Sequence, residues 1–194
     1  MSDEAGQVIE EDADQLDPEI EARRMLALGQ IRQWGDPALR MRAKEVESFD
    51  DDLKRLVERM TLLMHDARGV GLAGTQVGVL QRLFVFQSDP DKDVRVAVNP
   101  RIVESGGEVE TEDEGCLSLQ RVRVPVERPT KVTLEGQDEN GEQFRLELEG
   151  LPARVVQHET DHLDGVLILD RTDPESRKQA LGVLRPEPML GATG

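Results

Sequence analysis

Gln157-His158-Glu159-Thr160-Asp161-His162 constrains this chain more than any other stretch. Residues four apart on a helix share one face, so both imidazoles of an H-E-x-x-H pattern reach one metal ion and Glu159 leans towards the same place. The whole chain has three histidines, and two of them fall in this frame. The flanks predict a mostly buried helix, with Pro152 in its first turn, Leu151, Val155, Val156 and Leu163 along it, and Gly165 just past its end. The rest of the fold is therefore expected to gather around this segment.

Residues 1–21 contain nine Asp or Glu and no Lys or Arg, which accounts for −9 of the formal −16 and leaves −7 for the rest. This predicts a disordered acidic tail over 1–24, with helix beginning around Pro18 to Leu28, ahead of a single catalytic domain over 25–185 and a flexible end over 186–194. A −16 surface repels phosphate, which excludes broad, nonspecific nucleic-acid binding, DNA included. No apolar run approaches the length of a membrane span, no signal segment is recognised, and one cysteine cannot form an internal disulfide, so a cytoplasmic protein is expected.

Gly35-Asp36-Pro37 predicts a turn leading into a short helical turn, and Trp34, the only tryptophan, is expected to pack. Leu53, Leu56, Val57, Met60, Leu63 and Met64 repeat at helical steps behind Asp50, Asp51 and Asp52, and His65 falls off that stripe on the polar face. The segment from Gly69 to Gly78 has four glycines in ten positions, which marks backbone held close to something or bent sharply. It lacks the lysine and hydroxyl of a phosphate loop, so a strand-like edge for a peptide is the better reading, with Gln76 as its one prominent polar side chain. Strands are predicted over Leu83 to Phe86 and Val94 to Val98, the second ending at Asn99-Pro100. Lys131 to Glu135 and Gln143 to Glu149 alternate around Asp138-Glu139-Asn140-Gly141 as a hairpin. Val166 to Leu169 reads as a final strand or core segment, and Asp173 with Pro174 as the start of a short helix.

Two helical histidines need a third ligand. Proteases that continue H-E-x-x-H-x-x-G-x-x-H are matched as far as Gly165, but Ile168 stands where the last histidine belongs, and isoleucine binds no metal. Glu175 follows His162 on what reads as a surface turn, with too little chain after it for a second helical domain. Cys116, after the acidic bend Glu112-Asp113-Glu114-Gly115, is the remaining candidate; a thiolate with two imidazoles leaves the fourth position open, as catalytic sites do.

Taken together, Gly69-Val70-Gly71-Leu72-Ala73-Gly74-Thr75-Gln76, Glu114-Gly115-Cys116-Leu117-Ser118 and Gln157-His158-Glu159-Thr160-Asp161-His162 resemble, in order, the three motifs of the bacterial peptide deformylases. The resemblance runs from about Ile31 to Asp170. It implies an α+β fold, with antiparallel β-sheets packed around a central metal-binding helix that carries HExxH. It also implies removal of the N-formyl group from nascent polypeptides that begin with formyl-methionine, with release of formate. By this similarity Cys116, His158 and His162 hold one divalent metal ion, usually Fe2+, with Zn2+ or Ni2+ also accepted. Glu159 is then the general base and acid, and the Gln76 amide and the Leu117 N–H face the developing oxyanion. Gly71 is expected to give the substrate backbone contacts, and Val70, Leu151 and Val155 the methionine pocket. Ribosome contact through Arg171, Arg177, Lys178 and Arg185 competes with an ordinary solvated face for those residues.

Some positions depart from the family pattern. Gly74 replaces a common alanine and is expected to loosen the Gln76 loop, and Gln120 stands where a proline often follows. Glu112 and Arg154 occupy positions that are often aliphatic, and their charges predict an ion pair at the pocket rim. A noncatalytic metal-binding or ribosome-associated homologue would have lost Glu159 or Gln76, and both are present. A general metallopeptidase is separated by the missing third histidine and by whether formate is released.

Overall fold

The computed structural model describes residues 17–184, so the expected acidic tail before residue 17 and the end after 184 lie outside the described residues. Helix α1 (Pro18–Leu28) starts under Asp17, whose carboxylate accepts the Glu19 N–H. Only Ala27 and Leu28 of this helix are buried, so the expected boundary at 24/25 falls inside it. Helix α2 (Asp51–Asp66) is capped by Asp50, which accepts from the N–H groups of Asp52 and Leu53, and the predicted stripe is its buried face. His65 is exposed, as its position off that stripe implies, and lies 2.8 Å from Gln87 Oε1. Trp34 departs from expectation: it is 36% exposed, and it is its backbone N–H, donating to the Ser118 carbonyl, that ties the segment down.

Five strands form one antiparallel sheet in sequence order: β1 (Gly71–Ala73), β2 (Leu83–Phe86), β3 (Arg95–Cys116), β4 (Leu119–Gln137) and β5 (Gln143–Glu149). All four residues of β2 are buried because helices cover both faces of the sheet there. Leu83 and Val85 pack with Leu53, Val57, Met60 and Met64 of α2, while Phe84 and Phe86 pack with Ala153, Val155 and Val156 of α3 (Leu151–Leu163). A third cluster joins Leu119, Val122, Val124 and Val126 of β4 to α4 (Ile168–Arg171) and α5 (Pro174–Leu184).

The strand expected to end at Asn99-Pro100 continues to Cys116. Asn99 takes a positive φ of 50°, and the pairing of β3 with β4 shifts register between Val98 and Arg101. The Asn99 side chain bonds both the N–H and the carbonyl of Val46, so the irregularity is a fastened bulge, not a strand end. The bend expected before Cys116 is likewise strand. The run Val166 to Leu169 is core, with Leu167, Ile168 and Leu169 buried, but it forms a helical turn because Asp170 caps the Leu167 N–H. Gly74 is packed tightly where looseness was expected: a Cβ there would meet the carbonyl oxygens of Gln81 at 2.8 Å and Val79 at 3.0 Å.

Candidate metal centre and active site

Helix α3 follows Gly150, whose positive φ of 66° turns the chain out of β5, and Pro152 sits in the first turn where its missing N–H costs nothing. Packing of Ala153, Val155, Val156 and Leu163 buries the helix, and it carries Glu159 and His162 into the interior. Cys116 arrives from the opposite side at the end of β3. There the register jumps from Gly115 opposite Arg123 to Cys116 opposite Leu119, with the unmatched residues on β4, where Arg121 takes a positive φ of 63°. Leu117 and Ser118 form the turn between β3 and β4.

One donor atom from each of Cys116, His158 and His162 lies within 4.8 Å of the others. Cys116 Sγ is 3.2 Å from His162 Nε2. His158 Nδ1 is 3.0 Å from Glu114 Oε2, which commits that nitrogen to the carboxylate and leaves Nε2 as the donor for an ion. A thiolate and two imidazoles, one already oriented by a carboxylate, suit a divalent transition metal. The donor set and its spacing therefore fit a single ion. Of the sequence-expected residues, these three come together.

Glu159 is buried beside them, and its Oε2 has no hydrogen-bond partner. Burial pushes its carboxyl up to about 7, against the pull of a charged His158. Burial, seconded by a charged His158, holds His162 well below the usual imidazole value. Burial would lower His158 too, but the Cys116 sulfur and Glu114 carboxylate outweigh it and hold this ring well above. A cation bound among these donors would take the place of the proton that the raised His158 ring holds.

Gln76 sits on a short 3-10 turn (Gly74–Val77) after β1. The Ala73 N–H donates to its Oε1 at 2.9 Å, which fixes which end of the amide is the donor. Nε2 then faces Ser118 Oγ at 3.1 Å and Cys116 Sγ at 3.7 Å. The Leu117 carbonyl accepts from Gln33 Nε2, which fastens the same turn from behind. Gly71 lies on the edge strand β1 directly against Glu159, where a Cβ would overlap Oε1 and come within 2.8 Å of Cδ. Val70 and Leu151 are exposed at 46% and 52%, whereas Val155 is buried at 5%.

A buried ionic network stands behind the ligands, and the sequence reading assigned it no role. Glu114 Oε1 accepts from Arg128 Nε at 2.6 Å, its Oε2 accepts from Arg128 Nη2 at 2.9 Å, and Arg128 Nη1 donates to Asp161 Oδ2 at 2.9 Å. Burial would raise the Glu114 carboxyl, but Arg128 and His158 hold it well below the usual carboxylate range. One signal pointed there: Glu114 is two residues before Cys116 on a strand, and so shares a face with it. The Glu112–Arg154 ion pair expected from charge is present at 3.1 Å.

A family model described as polypeptide deformylase matches residues 28–178. Peptide deformylase 1 of Corynebacterium efficiens is 50% identical over 157 residues, covering 80% of this chain and 93% of the relative. The peptide deformylase of Thermotoga neapolitana is 49% identical over 147 residues, covering 76% and 88%. The crystal structure of a Synechococcus elongatus peptide deformylase in complex with actinonin superposes with a TM-score of 0.76 at 40% identity, covering 79% of this chain and 85% of that one.

Proposed function

This chain belongs to the polypeptide deformylase family, and on that premise we propose how its residues divide the work of removing the N-formyl group from nascent polypeptides. The observation that carries the assignment is convergence: Cys116 from β3, His158 and His162 from α3, and Gln76 beside β1 meet around the buried Glu159. Cys116, His158 and His162 would hold the ion. When bound, a divalent ion supplies the Lewis acidity that brings the ionisation of water into the neutral range.

Glu159 accepts the proton of the attacking water and passes it to the departing amine, base first and then acid. Its partnerless Oε2 is the atom placed for that exchange. As the formyl carbon becomes tetrahedral, its oxygen takes hydrogen bonds from Gln76 Nε2, whose direction Ala73 has fixed, and from the Leu117 N–H. The peptide lies along the edge strand at Gly71, with its methionine side chain against Val70, Leu151 and the adjoining Val155.

The ion is Fe2+ in this reading, with Zn2+ and Ni2+ compatible with the same sulfur and nitrogen donors. Metal analysis of protein purified without oxygen decides it, and zinc as the sole ion would overturn iron. The catalytic domain is taken as 25–185, which contains the whole family match. The reaction is taken to run in the cytoplasm, on formylated chains as they leave the ribosome. No helix among the described residues is long and apolar enough to cross a membrane. A ribosomal contact would fall to exposed Arg177 and Lys178 on α5, although Arg177 also lies 3.7 Å from Asp170, while Arg171 is engaged by Asp161 and Arg185 lies outside the described residues.

The test is formate release from a formyl-Met peptide. Glu159→Ala is expected to lower kcat by about 10²- to 10⁴-fold, and chelation to abolish turnover until metal is restored. Cleavage of internal peptide bonds without formate release from metal-replete protein would sink the proposal.

A further inference from the structure

Arg154 is a charged side chain only 9% exposed, on the helix that carries both histidine ligands, and none of the chemistry above uses it. It lies one turn before His158, so the two side chains share a face of α3. Its guanidinium has a partner in four directions. Nη1 donates to Glu114 Oε1 at 2.9 Å and to the Val126 carbonyl at 3.0 Å. Nη2 donates to the Glu110 carbonyl at 2.9 Å, and Nε meets Glu112 Oε2 at 3.1 Å.

Two consequences follow from this geometry. The Glu114 carboxylate offers about four lone-pair sites, and four donors fill them: Arg128 twice, His158 Nδ1 and Arg154 Nη1. A carboxylate bonded on every side cannot rotate away from the imidazole that it orients. Arg154 also fastens α3 to β3 at Glu110, Glu112 and Glu114 and to β4 at Val126. Because Cys116 ends β3 while His158 and His162 belong to α3, that fastening sets the spacing between the thiol and the imidazoles.

We propose that Arg154 is a positioning residue for the metal centre, acting on His158 through the saturated Glu114 carboxylate and on Cys116 by clamping β3 to α3. The inference rests on the assignment of Cys116, His158 and His162 as the metal ligands. Lysine cannot replace the arginine, because one ammonium is a compact donor and cannot span two backbone carbonyls and two carboxylates.

The experiment uses the full chain, with Zn2+ affinity measured by competition against a chromogenic chelator and the d–d spectrum of the Co2+-substituted protein as a geometric readout. Arg154→Met is expected to bind Zn2+ about 10- to 100-fold more weakly, the usual effect of losing a group that orients a ligand, and to shift the Co2+ bands. Arg154→Lys keeps the charge and is expected to fall short of wild-type affinity. Melting of the metal-free proteins separates loss of fold from loss of ligand placement. Wild-type Zn2+ affinity and Co2+ spectrum in a folded Arg154→Met would overturn the proposal, as would wild-type values in Arg154→Lys should the methionine variant fail to fold. Cys116→Ser serves as the control: if it holds Zn2+ as tightly as wild type, the ligand assignment fails, and not the role of Arg154.

Discussion

Glu159 shows how one buried carboxylate couples catalysis to stability. With no cation beside it, burial raises its carboxyl to about 7, whereas in an unfolded chain it titrates near 4.5. Between those values the folded protein holds a proton that the unfolded chain has lost, so stability falls as pH rises through that window and is level above it. In metal-free protein, Glu159→Gln is therefore expected to be more stable than wild type above pH 7, by about 1–3 kcal/mol, and equal to it below about pH 4.5. Denaturant melts at the two pH values check this; a gap of equal size at both would show that the carboxyl is not the cause. The role of Glu159 was legible because H-E-x-x-H fixes it relative to two imidazoles on one helical face. The roles of Glu114, Arg128 and Asp161 were not, because which buried acid meets which arginine depends on the packing of β3 and β4 against α3.

At the scale of elements, the close approach of β1 to α3 is the tightest constraint. Gly71 has no Cβ, and the space one would fill is taken by the Glu159 carboxyl. Gly71→Ala is expected to displace that carboxyl and lower kcat by about 10²-fold or more while Zn2+ content stays at wild-type level. Steady-state formate release with metal analysis measures both, and activity within a few fold of wild type would refute it. The glycine-rich stretch announced close approach in the sequence, but not to what. Helices α2 and α3 and the β4–β5 hairpin were readable from periodicity and caps. The length of β3 was not, since Asn99-Pro100 has the chemistry of a strand end. Only the distant Val46 and Gln137, to which the Asn99 side chain bonds, let the strand continue past it. Gly74 misled in the other direction, because the carbonyls that crowd it belong to residues five and seven positions later in the chain.

For the molecule as a whole, an ion bound at Cys116, His158 and His162 would be held jointly by the sheet and the helix, so its binding free energy would add to the stability of the fold. At free metal about 100 times Kd this contributes about 2.7 kcal/mol, which for a chain of this size corresponds to roughly 5–10 °C in Tm. Thermal melts with and without chelator are expected to differ by that amount in wild type and to coincide in Cys116→Ser. A chelator shift that persists in the serine variant would place the stabilising ion elsewhere.

The spacing of the site along the chain carries its own consequence. Gln76 and Cys116 are 40 residues apart, and Cys116 and His162 are 46 apart, with β4, β5 and most of α3 between them. Nothing local can assemble the site: Cys116 is held by its pairing with Leu119 of β4, and the imidazoles need α3 seated on the sheet. Ion capture therefore waits on tertiary structure in each newly made copy, and a cobalt-coloured chain is one in which β3, β4 and α3 have already come together.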